Sequence, residues 1–259
     1  PSLSAMMNTP NKPPRERLIF ALDVGGGLDD ALSWVDRLYD HVGLFKVGKE
    51  SFIRYGTEIV RQIHSRGGKV FLDLKFHDIP NTVARAAEAA ADLGVAMFNL
   101  HALGGRRMMT ETVSAVLRFA EKRGKPGPIV LAVTVLTSLN DGDLKTMGFS
   151  GGTGETALNL ARLAQDAGVS GVVASAEDAT AIRKACGREF VIVTPGIRGA
   201  KKEVAGDDQK RIVAPCEAVG CGADYLVVGR PIRQAADPAG EADEIVGEIV
   251  RGLASRNGR

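Results

Sequence analysis

Asp73 and Lys75 stand two residues apart in the run Phe71-Leu72-Asp73-Leu74-Lys75, and Asp78 follows in the turn Phe76-His77-Asp78-Ile79-Pro80. Residues two apart in a strand point to one side, so this carboxylate and ammonium share a face. Asp23 lies near the end of an earlier apolar run, and Lys46 lies within another. Charge inside an apolar strand is costly unless it is paired or serves a site. Lysines interleaved with acids would hold ammonium groups where charge changes during a reaction. The same residues would also serve as a buried salt-bridge network, or as plain surface charges at strand exits.

A second group suits an anion. The run Tyr225-Leu226-Val227-Val228 ends in Gly229-Arg230-Pro231-Ile232, and a strand closing on Gly-Arg offers backbone amides and a guanidinium fork to a phosphate. A tight turn with an exposed arginine is the plainer reading of the same residues. The preceding run ends Val193-Thr194-Pro195-Gly196-Ile197-Arg198 and leads into a polar loop around Asp207, Asp208 and Gln209. In parallel barrels, phosphate sites use the loops after the last two strands.

The elements that must position these groups follow from hydrophobic pattern. Branched apolar runs at 18–24, 44–48, 69–74, 95–100, 129–135, 171–174, 190–194 and 225–229 predict strands. Amphipathic or alanine-rich segments at 28–39, 50–63, 81–93, 106–121, 154–167, 176–185, 212–219 and 241–253 predict the helices between them. Asn81 or Thr82 is placed to cap the third of these. Strands apolar at nearly every residue and separated by single helices imply a parallel sheet covered by helices, and eight strands close a (β/α)8 TIM barrel. An open doubly wound sheet competes, but its dinucleotide form needs Gly-x-Gly-x-x-Gly after the first strand, which Val24-Gly25-Gly26-Gly27-Leu28-Asp29-Asp30 does not supply.

Composition bounds the rest. The 259 residues are 44% hydrophobic and 25% charged, which suits one large domain at 17–259 behind a flexible leader at 1–16. With 33 Lys plus Arg against 31 Asp plus Glu, the net charge of +2 makes no overall case for a nucleic-acid or membrane partner. Cys186, Cys216 and Cys221 lack zinc-site spacing and read as reduced thiols of a cytoplasmic protein. No stretch approaches the roughly 20 apolar residues of a membrane span.

Taken together, these stretches resemble the orotidine 5'-phosphate decarboxylases of bacteria and archaea. The likeness rests on Ala21-Leu22-Asp23, Phe45-Lys46-Val47-Gly48, the segment from Phe71 to Val83, Asn99-Leu100-His101-Ala102, Val133 to Ser138, Thr194 to Arg198, and Val228 to Ile232, in that order. It implies a homodimeric enzyme that converts orotidine 5'-monophosphate to UMP without metal, flavin, pyridoxal phosphate or thiamine. Lys46, Asp73, Lys75 and Asp78 would form the catalytic array, with Asp78 and Thr82 reaching into the partner's site. Asp23 would bind ribose hydroxyls with help from Lys46, and Thr137 or Ser138 the pyrimidine. Arg198, Gln209, Gly229 and Arg230 would hold the 5'-phosphate, and Pro195 would bind substrate with them.

Two features depart from the family pattern. The stretch from Arg198 to Gln209 is two residues longer, and Leu103 replaces a small polar residue. A related branch of such barrels uses Mg²⁺ for sugar-phosphate chemistry, with a glutamate in place of Lys46. Glu50, close by in sequence, keeps that reading open, as does a nucleotide-binding barrel without chemistry.

Overall fold

The computed structural model describes residues 12–198 and 213–257. Its eight strands are β1 (Leu18–Ala21), β2 (Leu44–Gly48), β3 (Val70–Phe76), β4 (Met97–His101), β5 (Ile129–Val133), β6 (Gly171–Val173), β7 (Val191–Thr194) and β8 (Tyr225–Val228). Each pairs in parallel with the next, and β8 pairs with β1 through Ile19↔Val227, closing the barrel that the alternating pattern predicts. Closure overturns the open-sheet alternative.

Eleven α-helices lie among the described residues: α1 (Leu28–Leu38), α2 (Lys49–Tyr55), α3 (Glu58–Ser65), α4 (Pro80–Asp92), α5 (Gly105–Arg123), α6 (Asp141–Thr146), α7 (Thr153–Asp166), α8 (Ala176–Cys186), α9 (Pro215–Gly220), α10 (Arg230–Arg233) and α11 (Pro238–Asn257). The helix expected over 50–63 is two, because Gly56 takes φ +60° after α2 and breaks the run. Neither Asn81 nor Thr82 caps α4. Pro80 occupies its first turn, where a fixed φ and a missing N–H cost nothing, so both residues lie inside the helix. The short helices α6 and α10 have too few residues for a periodic signal. Part of the expected leader is built in, since Pro14–Arg17 form a 3₁₀ turn leading into β1.

Two apolar layers explain why the strands read as unbroken hydrophobic runs. Leu18, Phe20, Phe45, Val47, Leu72 and Phe98 belong to the layer between sheet and helices. Ile19, Leu44, Phe71, Met97, Leu131, Val193, Tyr225 and Val227 have the opposite parity and fill the barrel interior. At β6 the wall is so close that a Cβ on Gly171 would lie 2.1 Å from the Val191 carbonyl oxygen, so only glycine fits.

Asp224, 3% exposed, sits at the opposite end of the barrel from the strand C-termini. Its carboxylate accepts the Ile192 N–H at 2.9 Å and pairs with Arg183 at 2.5 Å and Arg256 at 3.1 Å, fastening α8 and α11 to the barrel floor. Removing one member of a buried ionic group leaves the others uncompensated. Asp224→Ala should therefore lower the unfolding free energy by about 3–5 kcal/mol in urea titrations. A loss below about 1 kcal/mol, the worth of an exposed pair, would contradict this role.

Candidate active site

The inward parity continues upward into polar residues. Ile19 and Ala21 lead to Asp23, Leu44 leads to Lys46, Phe71 leads to Asp73, and Met97 leads to Asn99. The strands thus change from apolar packing to charge at their C-terminal ends, the end where active sites of such barrels lie.

Asp73 is the hub. Its Oδ1 accepts from Lys75 Nζ at 2.6 Å and from Asn99 Nδ2 at 2.7 Å, while its Oδ2 lies 3.3 Å from Lys46 Nζ. Lys46 Nζ also donates to Asp23 Oδ2 at 2.8 Å, giving the sequence Asp23, Lys46, Asp73, Lys75 of alternating charge. Burial alone would raise the pKa of Asp73, but Lys46 and Lys75, with the hydrogen bonds from Lys75 and Asn99, bring it down to about 2. For Lys46, burial opposes the charged form, yet Asp73 and Asp23 outweigh it and the pKa is raised. A Cβ at Gly48 would come within 2.7 Å of Asp23 Oδ1 and 3.2 Å of Lys46 Nζ, so glycine leaves room for this pair.

These groups line a cavity of about 390 Å³, within the range for small-ligand sites. Val133, Val135, Leu136 and Val173 give it apolar lining, and Thr137 also lines it. Pro195, Arg198, Gly229, Arg230 and Arg233 also line it, so the two candidate phosphate turns share one cavity with the charged array. The pKa of Arg198 is lowered, first by burial and then by nearby Arg230. Arg233 donates to the backbone oxygen of Asp23, tying α10 to the chain beyond β1.

Other expected residues lie elsewhere. Ser138 is exposed beside the cavity rather than in its lining. Asp78 is not brought to the array of its own chain. It borders a shallow surface cleft with His77, Ile79, Pro80, Leu103 and Gly104, and its Oδ1 accepts the Ile79 N–H at 2.6 Å. Thr82 is exposed on α4, and Gln209 lies outside the described residues. Glu50 is exposed, pairs with Arg54 at 3.3 Å on α2 and does not line the cavity.

Asn99 and Arg233 line the site although the sequence assigned neither a role there. The signal for Asn99 was present: one polar side chain at an inward position of an apolar strand, here 1% exposed. Arg233 had no comparable signal, since its short helix gives no pattern. His101, at the end of β4, packs against His77 with ring centroids 5.4 Å apart. Burial first, then His77, Lys75 and Lys49, lower the His101 pKa to about 4, so the ring is neutral at physiological pH.

A sequence model described as "Orotidine 5'-phosphate decarboxylase / HUMPS family" matches residues 16–245. The chain belongs to this family. It is 65% identical to an orotidine 5'-phosphate decarboxylase of Syntrophus aciditrophicus, over 95% of this chain and 98% of that one. The counterpart in Geotalea daltonii is 53% identical over 92% of this chain and 98% of its own. The crystal structure of orotidine 5'-phosphate decarboxylase from Lactobacillus acidophilus aligns with a TM-score of 0.78 at 34% identity, covering 92% of this chain and 99% of that one.

The depressed pKa of Asp73 has a sign that can be tested. Its folded value of about 2 lies below the ordinary 3.8, so the ionised carboxylate adds stability that is present above 3.8 and is lost as pH falls through about 2. Relative to Asp73→Asn, the wild type should lose on the order of 1 kcal/mol of unfolding free energy between about pH 6 and about pH 3. A difference between the two proteins that does not change with pH would contradict the ionic pairing.

Proposed function

We propose that this protein decarboxylates orotidine 5'-monophosphate to UMP and CO₂ in pyrimidine biosynthesis, by a direct route in which Lys75 protonates C6. The observation that carries this reading is the Lys75 ammonium, held 2.6 Å from Asp73 in the cavity that Arg198 and Arg230 also line. In the proposed pose the 5'-phosphate lies against these arginines, the ribose hydroxyls meet Asp23 and Lys46, and the base rests by Thr137. C6 faces Lys75.

The C6–carboxyl bond breaks, CO₂ leaves, and the electron pair stays on C6, where the ring cannot spread it as an enolate would. The ammonium stabilises this developing charge and then gives up a proton to form the C6–H bond; water reprotonates the amine. Stabilisation of this kind accelerates the reaction because it is stronger in the transition state than in bound substrate. Asp73 keeps Lys75 in place, and the distant phosphate supplies binding free energy that aligns the base.

Lys46 favours this reading over Mg²⁺-dependent sugar-phosphate chemistry. Its ammonium pairs with both Asp23 and Asp73, so these two acids are neutralised by a lysine of the chain itself.

The functional unit in this proposal is a homodimer acting in the cytoplasm, with Asp78 and Thr82 supplied to the partner's cavity. Support comes from Asp78 lying outside its own cavity and from exposed apolar side chains beside it, Ile79 at 67% and Leu103 at 41%. All three cysteines are free, as a reducing compartment would keep them. No helix among the described residues is long and apolar enough to cross a membrane.

The direct test follows loss of orotidylate absorbance and CO₂ release in EDTA. Wild type should turn over fully, whereas turnover only of a sugar phosphate after Mg²⁺ addition would overturn the proposal. Lys75→Ala should lose on the order of 10²–10⁴-fold or more in kcat while UMP still binds, and a near-normal rate would rule Lys75 out as the proton donor. Sharing of sites is tested by mixing the inactive Lys75→Ala and Asp78→Ala proteins. Random reassortment makes half the dimers mixed, each with one intact site of two, so about one quarter of wild-type activity should return. No recovery despite demonstrated subunit exchange would contradict contribution across the interface.

A further inference from the structure

The backbone at Lys75 is irregular. Among the described residues it is the one non-glycine with positive φ, at 53°, a left-handed conformation that costs an ordinary side chain. The ladder breaks around it. Pairing runs from Leu72↔Phe98 directly to Phe76↔Leu100, so four residues of β3 span two of β4. The break takes the main chain around Lys75 out of the regular β3–β4 pairing.

Asn99 fills the gap. It stands on β4 between the two registered pairs, and its Oδ1 accepts the Lys75 N–H at 2.8 Å. Its Nδ2 donates to Asp73 Oδ1 at 2.7 Å, the same oxygen that takes Lys75 Nζ. One buried amide therefore holds both the main chain of the lysine and the carboxylate that its ammonium meets. Strain of this sort persists where surrounding contacts over-determine it, and it concentrates at functional sites.

We propose that Asn99 is a positioning residue for the decarboxylation: it locks the bulge at Lys75 and orients Asp73, so the ammonium points at the reacting carbon. This rests on the reaction assigned above, and it gives Asn99 a task apart from binding nucleotide. The charged groups around it are Asp73 and Lys75 on β3, with Lys46 on β2 reaching the same carboxylate; β5 presents Leu131 opposite.

Asn99→Ala should lower kcat on the order of 100-fold, since small misplacements of reacting groups carry penalties of that size. KM should change less than about 3-fold, because the arginine side of the cavity is untouched. Asn99→Asp has the same shape and gives a sharper readout. When protonated, the new carboxyl accepts from the Lys75 N–H and donates to Asp73, as the amide does; when ionised, it confronts Asp73 with like charge. Its kcat should rise as pH falls through the new group's titration, relative to wild type in the same buffers. A profile parallel to wild type, or Asn99→Ala with kcat within about 2-fold, would overturn the proposal.

The wild-type rate in that assay tests the decarboxylase reading by itself. A crystal structure of either variant tests the positioning role without turnover. Lys75 should leave the left-handed region in Asn99→Ala, and Lys75 keeping its φ and its Asp73 contact there would refute the role. Should Asn99→Ala not fold, the isosteric variant carries both measurements.

Discussion

One carboxylate shared among three donors organises the upper end of this barrel. Asp73 takes Lys46, Lys75 and Asn99 together, and each comes from a different part of the chain or a different main-chain geometry. Buried charges are costly unless their partners and hydrogen bonds are all present. The group therefore forms as a unit: loss of Asp73 would leave Lys46 with Asp23 alone and Lys75 without its anchor. The depressed pKa of Asp73 is the thermodynamic expression of the same fact.

The rest of the fold makes this arrangement possible by keeping stability and chemistry at opposite ends. At the floor, Asp224 and its arginines tie helices to strands. In the middle, the apolar interior from Ile19 to Val227 sets strand spacing and direction. At the rim, the same alternation that buries Phe71 aims Asp73 into the cavity. The bulge in β3 is the departure that redirects Lys75, and it is held from the neighbouring strand.

Much of this was legible in the residues. Apolar runs separated by amphipathic segments specify a parallel sheet because both faces of each strand are buried, and the two core layers give that reason directly. Lys46, Asp73 and Lys75 stood out because charge in such runs needs a partner. What the pattern could not convey was geometry set by tertiary contact. The i, i+2 rule joins Asp73 to Lys75, but the pair in fact meets across a bulge with left-handed backbone. The cap expected at Asn81 or Thr82 yielded to Pro80, whose fixed φ suits the first turn. The turn after β3 carries Asp78 to a cleft apart from its own chain's array, a placement that spacing along the chain does not convey. Arg233 reaches the site through a four-residue helix that no periodicity announces.

In the proposed reaction Asp73 aims the Lys75 ammonium at the carbon from which CO₂ departs. A crystal structure of the wild-type protein with a UMP-like inhibitor measures this directly. Lys75 Nζ should lie about 3 Å from ring position 6, still paired with Asp73, with the phosphate against Arg198 and Arg230. A nucleotide bound in the opposite sense, or Lys75 turned away from the ring, would contradict it.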